Sequence, residues 1–403
     1  MYAKAGLICC YWERGYFFLF IRVWHTVFVG SNPTIHTNFQ CMHDPETDSI
    51  KAVLQRKREE APLRPKGMLS SGSTLLNLAC TGNPWRAFMR GAYYLIPGDS
   101  SAGKTVLAGT CLAEAAMNPL FDGYSLIFDN AENGALFFEK FFGPRINARI
   151  KPPKYDAEKR PMCSRTVQDF YYNAHDRLTH KPSVYVLDSE PALTSEAEQK
   201  KFKKKKAAAE EGEESAGIMS DGKAVVHSQN MRNLAALARD TDSIVIVLTQ
   251  SRENMGFGAM YDPKTRPGGK ALKFYAQLEA WFSIKKTIKR TVNGQPRKIG
   301  IIASVHVKKN RFTGKDRTVE IPIYTSFGID DLGSCIDYLI KEKHWTGTEG
   351  TVTAPEFKFQ GTKEKLVRLI ESTNRERDLQ ALTGEVWNGI EAQLEVHRKR
   401  RYE

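Results

Sequence analysis

The chain has 403 residues, 41% hydrophobic and 26% charged, which is enough apolar content to bury a sizeable core in two or three domains. Its formal net charge of +13 favours a polyanionic partner, because arrayed Lys and Arg release counterions from a phosphate backbone; a merely basic soluble protein is the alternative. Seven scattered cysteines, odd in number and without metal-ligand spacing, argue against a disulfide framework and for a reducing compartment.

In chain order, the first apolar run is YFFLFIRVWHTVFV, residues 16–29. Arg22 and His25 interrupt it, and it falls short of the roughly 20 residues that a helical membrane span needs. No small-residue cleavage site follows, which argues against a secretory signal. Residues 1–41 are therefore expected to be an upstream extension without functional structure, with a membrane-anchoring hairpin as the rival reading. From Met42 onward, Asp48 can cap a short helix whose Ile50, Val53 and Leu54 share one stripe, and Pro62 and Pro65 make a linker. Three apolar side chains do not make a domain. Residues 42–66 are expected to dock on the chain's own core or on a neighbouring subunit.

The main core is expected over residues 67–335. AYYLIPG runs as a buried strand into a glycine loop, and KTVLAGTCLAEAAM is a good helix former. YSLIFDN, SVYVLDS and SIVIVLTQ read as further strands without alternation, with helical HSQNMRNLAALAR before the last. Continuous apolar strands alternating with helices predict an α/β fold with a mostly parallel central sheet covered on both faces. GIIASVHVKKN and RTVEIPIY alternate more and fit antiparallel additions. Residues 195–217 form a charged insert in which a lysine run precedes four glutamates; a solvated loop or frayed helix is expected, with a DNA-binding arm as the alternative. Residues 336–403 are expected to be a small helical domain, since Leu379, Leu382, Val386, Ile390 and Leu394 recur at helical spacing, and the segment HRKRRYE is basic.

The chemistry concentrates in GDSSAGKT, which matches the phosphate-loop pattern G-x-x-x-x-G-K-[ST] between a strand and a helix. Gly98, Asp99, Ser100, Ser101, Ala102 and Gly103 would wrap backbone N–H groups around phosphates, with the helix dipole behind them. Lys104 would neutralise the β and γ phosphates of ATP, and the Thr105 hydroxyl would ligate Mg²⁺. The second metal contact needs an acid at the end of a buried strand, which Asp188 supplies; a plain cap on the next helix is the alternative. Glu132, just past a strand end, is positioned to act on an attacking water, although acids after strands are common.

The order of these motifs resembles the RecA family of homologous-recombination ATPases, most closely its divergent phage members of the UvsX-like kind. The likeness runs from about Met68 to Trp345 and more weakly to Leu394. LSSGSTLLNLACTG resembles the segment before the phosphate loop, IFDNAEN the strand end with the catalytic glutamate, and YVLDSEPALTSEAE the second nucleotide motif. SQNMRNLAAL resembles the helix after the first DNA-binding loop. TQSRENMGFG followed by RPGGKALKFYA is the most specific match, resembling the second DNA-binding loop and its exit.

The resemblance implies a RecA-like ATPase core, ATP and Mg²⁺ as cofactors, Glu132 as catalytic base and Gln250 as γ-phosphate sensor. It implies DNA contacts from Lys223 in the first loop and from Arg252, Lys264, Arg266 and Lys270 in the second. Met255 falls where family members wedge an apolar side chain between base triplets, and Phe257 is a second apolar side chain there; packing under the loop is the alternative for both. VKKNRFTG resembles the segment whose two cations, here Lys309 and Arg311, reach the neighbouring subunit's ATP. Phe137 and Phe138 are candidates to stack on adenine.

The implied function is an ATP-dependent recombinase that self-associates into a helical filament on single-stranded DNA and pairs it with a homologous duplex. The setting would be the cytoplasm, of a bacterial host if phage-encoded, with no membrane partner and with a single-strand-binding or loader protein as a further partner. A RecA-fold helicase is the first rival; it shares the phosphate loop but need not share GGKALKFYA or KKNR. A recombination mediator that uses its nucleotide only as a switch is the second.

Overall fold

The computed structural model describes residues 9–13, 16–20, 67–134, 138–210, 222–253, 264–265, 269–348 and 350–399. The chain divides into two units, residues 1–64 and 65–403. In the first, β1 (Cys9–Glu13) pairs antiparallel with β2 (Tyr16–Phe20). The helix expected around Asp48 lies outside the described residues. No helix among the described residues is long and apolar enough to cross a membrane.

The second unit is built on a nine-stranded sheet. Its strands are β3 (Ala92–Gly98), β4 (Ser125–Asn130), β5 (Ile150–Lys151), β6 (Ser183–Asp188), β7 (Ile244–Gln250), β10 (Leu278–Val292), β11 (Gln295–Asn310), β12 (Arg317–Tyr324) and β13 (Gly328–Ile329). Outside the sheet, β8 (Arg252–Glu253) and β9 (Lys264–Thr265) pair with each other. The order across the sheet is β13-β12-β11-β10-β3-β7-β6-β4-β5. The strands from β10 to β5 are parallel, and β11, β12 and β13 are antiparallel additions, as the alternating strands predicted.

Each parallel strand is apolar on both faces because each face has its own core. Tyr94, Ile96, Val184, Val186, Ile246 and Leu248 pack on one side with α2 (Lys104–Met117); α1 (Thr74–Thr81) belongs to the same cluster. Tyr93, Leu95, Tyr185, Leu187, Val245 and Val247 pack on the other with α4 (Val167–His180), α6 (Lys223–Asp240) and α7 (Gly269–Tyr275). Burying one such side chain contributes about 1.5–3 kcal/mol, so the strands that hold the site also carry much of the stability. The remaining helix of the core, α3 (Phe138–Asn147), bends at Gly143-Pro144.

Within the charged insert, the chain forms α5 (Glu196–Glu210). Helix α8 (Asp331–Lys341) runs through the boundary expected between residues 335 and 336. Cys335, Ile336 and Leu339 on it join a third core with α9 (Lys363–Ser372) and α10 (Glu376–Gln393). That region is not wholly helical: β14 (Thr346–Thr348), β15 (Thr351–Ala354) and β16 (Phe359–Gly361) make a small antiparallel sheet.

Candidate nucleotide site and DNA-facing loops

The strand order makes a crevice. From β3 the chain crosses to β4, steps back through β6 and β7, and leaves for β10 on the far side of β3. Ligands of open α/β sheets sit beyond the strand C-termini at such a reversal. Residues 98–105 leave β3 at that point. A Cβ on Gly98 would lie 2.3 Å from the carbonyl oxygen of Phe282 on β10, so only glycine allows the approach. Gly103 has φ +95°, and a Cβ there would meet Ile323 Cδ1 at 2.3 Å. Two different neighbours thus fix the two glycines of the motif, and α2 starts at Lys104 with Gly103 as its N-cap.

Lys104 is buried and its Nζ donates to the Gly98 carbonyl at 2.9 Å and the Asp99 carbonyl at 2.7 Å. Burial pushes its ammonium below the usual range, against the pull of Glu132, Asp188 and Asp99. Ser251 closes the loop from the β7 side, its N–H donating to Gly98 O at 2.9 Å and its hydroxyl to Asp99 Oδ1 at 2.6 Å. Sequence reasoning missed Ser251 and Phe282; the first sits directly after Gln250, the second in a strand that went unread.

Asp188 ends β6 and is 4% exposed. Burial raises its carboxyl to about 6; the Thr105 hydroxyl donating to it and the Lys104 charge lower it, and Glu132 raises it. The loop therefore fits a phosphate chain with Mg²⁺: a glycine cradle, a buried ammonium, and a hydroxyl beside a carboxylate, the hard oxygen donors that this ion prefers. The raised value sets a pH dependence. The folded chain holds a proton that the unfolded chain releases above 3.8, so without metal this group costs stability as pH rises from 3.8 to about 6. Mg²⁺ needs the ionised form, so Mg²⁺-dependent nucleotide binding is expected to strengthen as pH rises through about 6. Calorimetric titration over about pH 5 to 8 checks this, with Asp188→Asn expected to lose the dependence.

Glu132 lies past the end of β4, exposed, with its backbone N–H on the Asp188 carbonyl at 3.0 Å. Its Oε1 accepts a short hydrogen bond from Ser189 Oγ and one of 3.2 Å from Gln250 Nε2. Gln250 ends β7 in register with Gly98 of β3. Three neighbouring strand ends thus bring Glu132, Asp188 and Gln250 together beside Lys104 and Thr105. Asp129, one strand position before Asn130, takes no part. It is buried and accepts from Ser164 N, Ser164 Oγ and Tyr185 OH at 2.8, 2.6 and 2.6 Å, and burial raises its carboxyl.

The chain after Gln250 and Ser251 is the candidate second loop. Its ends meet where Arg252 pairs with Thr265 and Glu253 with Lys264; Met255, Phe257 and Arg266 lie outside the described residues. Lys270 is exposed in the first turn of α7. Lys223 opens α6, which begins next to α7: a Cβ on Gly269 would lie 3.1 Å from Ala224 Cβ. Lys309 and Arg311, at and beyond the end of β11, converge on the other end of α7. Lys309 Nζ donates to the Lys273 carbonyl and, at 3.0 Å, to the Phe274 carbonyl, and Arg311 Nη2 donates to Phe274 O at 2.7 Å. Cations at a helix C-terminus satisfy its orphan carbonyls and complement the dipole.

Of the two adenine-stacking candidates, Phe137 lies outside the described residues and Phe138 is 9% exposed, its ring edge-on to Phe128 with centroids 4.9 Å apart. Phe141 is more open and lies 3.8 Å from where a Gly328 Cβ would be, beside the turn after β12. A buried trio also escaped sequence reasoning: Tyr171 OH meets His227 Nδ1 at 2.7 Å, and His227 Nε2 meets Glu190 Oε1 at 3.2 Å. It ties α4 and α6 to the turn after Asp188.

Comparison with known proteins gives one family. The model of the RecA N-terminal domain matches residues 182–330, which include Asp188, Gln250, Lys309 and Arg311 but not the phosphate loop. The chain is 28% identical over 301 residues to Protein RecA of Lactococcus lactis subsp. cremoris, covering 74% of this chain and 69% of that one. It is 26% identical over 288 residues to Protein RecA of Thermus thermophilus (70% and 74%) and 27% over 294 residues to that of Chlorobaculum tepidum (72% and 75%).

Proposed function

Because the chain belongs to the RecA family of homologous-recombination ATPases, we propose that it is an ATP-dependent recombinase that forms a helical filament on single-stranded DNA and exchanges strands with a homologous duplex. The observation that carries the reading is the hydrogen bond from Gln250 Nε2 to Glu132 Oε1. It joins the group placed to act on water with the residue from which the second loop departs.

Residues 98–103 cradle the phosphates with backbone N–H groups, and Lys104 leaves its two loop carbonyls to meet the β and γ oxygens. Thr105 and Asp188 would hold Mg²⁺, which would supply charge neutralisation at the phosphate oxygens. Phe141 offers a face to the base. Glu132, held by Ser189, orients the attacking water and takes its proton. Gln250, shared between Glu132 and the γ phosphate, transmits nucleotide state along the second loop to α7, whose far end Lys309 and Arg311 hold. Arg252, Lys264, Arg266, Lys270 and Lys223 contact phosphates of the strand, so base pairing rather than the protein reads sequence.

Electron microscopy with single-stranded DNA and a non-hydrolysable ATP analogue is expected to show helical filaments, and a homologous duplex is expected to yield joint molecules. Closed rings with directional unwinding and no pairing would establish the helicase reading instead. DNA binding with negligible ATP turnover would establish the mediator.

A further inference from the structure

Helix α5 is anchored at its start and exposed to solvent beyond it. Ser195, fully buried, caps it: Glu198 N donates to Ser195 Oγ at 3.1 Å and Ser195 N donates to the Glu198 carboxylate at 2.7 Å. Thr194 bridges to Thr166 at the start of α4, and Glu196 N donates to Gln168 Oε1 at 3.3 Å. Beyond this base no residue from 196 to 206 is buried, and Phe202 is 67% exposed. A helix of 15 residues is about 22 Å long.

Such a helix does not form to bury an apolar stripe. Lys200, Lys201, Lys203, Lys204, Lys205 and Lys206 stand on it, and at about 100° per residue they point to nearly every side. An interfacial membrane helix needs a broad apolar face opposite its cations, and Phe202 alone does not make one. A polyanion that wraps or runs alongside fits better, since phosphates can meet lysines at any azimuth.

The position of the base says which polyanion. A Cβ on Gly222, which precedes α6, would lie 3.8 Å from Ser195 Oγ, and Gly269 at the start of α7 abuts Ala224 on α6. The N-termini of α5, α6 and α7 therefore emerge together, and α6 and α7 are the exits of the two candidate DNA loops. We propose that α5 is an accessory arm whose lysines bind backbone phosphates of the same single strand that the two loops hold. The proposal rests on the reading above.

The test uses the full chain with Lys200→Gln, Lys203→Gln, Lys204→Gln and Lys205→Gln combined, a fluorescent single-stranded oligonucleotide and a non-hydrolysable ATP analogue, at a series of salt concentrations. Each phosphate contact contributes about 0.7 to the slope of log affinity against log salt on a single strand, so the slope is expected to be shallower by roughly 3 in the variant. Nucleotide binding without DNA should be unchanged, and the Lys→Arg set should keep the wild-type slope. Identical slopes and affinities for wild type and variant overturn the arm and leave the recombinase reading standing. A wild type that binds no single strand overturns both. A slope lost on duplex alone, or a loss of binding to phosphatidylserine vesicles with DNA slopes equal, assigns the lysines to another partner and overturns this one.

Discussion

Glu132→Gln is expected to lower single-stranded-DNA-dependent ATP hydrolysis by roughly 10²–10⁴-fold, the range that a positioned general base supplies. The substitution changes little else. Glutamine keeps an oxygen for Ser189 Oγ and Gln250 Nε2, so the contact between the nucleotide site and the second loop persists while the basic oxygen is lost. ATP binding should therefore stay within a few-fold of wild type, and complexes formed with ATP should outlast those of the wild type, because hydrolysis is the step that would release them. Phosphate release and fluorescent-nucleotide binding measure the two halves separately. Turnover within threefold of wild type would remove Glu132 from the chemistry and leave the water to another group.

The parts of this site legible in the sequence are those written in local pattern. β3, β4, β6 and β7 read as uninterrupted apolar runs because two cores cover both faces of the sheet, and the phosphate loop is a contiguous string whose glycines each answer a specific neighbour. Asp188 was legible because a strand end is a local feature. The strand β10 was not, because beyond Ile284 it reads Lys285, Lys286, Thr287, Ile288, Lys289, Arg290, a polar ribbon held by backbone pairing with β11 and by the ion pair of Lys285 with Glu320 on β12. Phe138 shows the converse failure: an aromatic one turn past a motif looks available, but its fate depends on Phe128 from a strand. The Tyr171–His227–Glu190 trio needs three separate segments to meet, and no spacing announces it. Ser189 stands beside Asp188 in the sequence, yet its bond to Glu132 exists only because β4 and β6 are neighbours.

Lys309 and Arg311 present a harder problem, since the contacts seen within one chain give them a plain structural role. Both cap α7, and Arg311 also lies over the Phe274 ring at 6.0 Å, so removing either cation will loosen the exit of the second loop. Lys309→Ala with Arg311→Ala is nevertheless expected to lower ATP turnover by about 10³-fold or more, the effect of a cation supplied to the transferring phosphoryl group from a neighbour. Rate alone does not separate the two roles, but mixing does. If the subunits assemble head to tail as proposed, each junction would combine the phosphate loop and Glu132 of one subunit with the cations of the next. Combining this variant with Glu132→Gln, each nearly inactive alone, should restore turnover at about one junction in four, where intact Glu132 meets intact cations. If the cations act only by holding α7 of their own chain, every subunit of the mixture remains defective in one part or the other, and the mixture stays as inactive as its components.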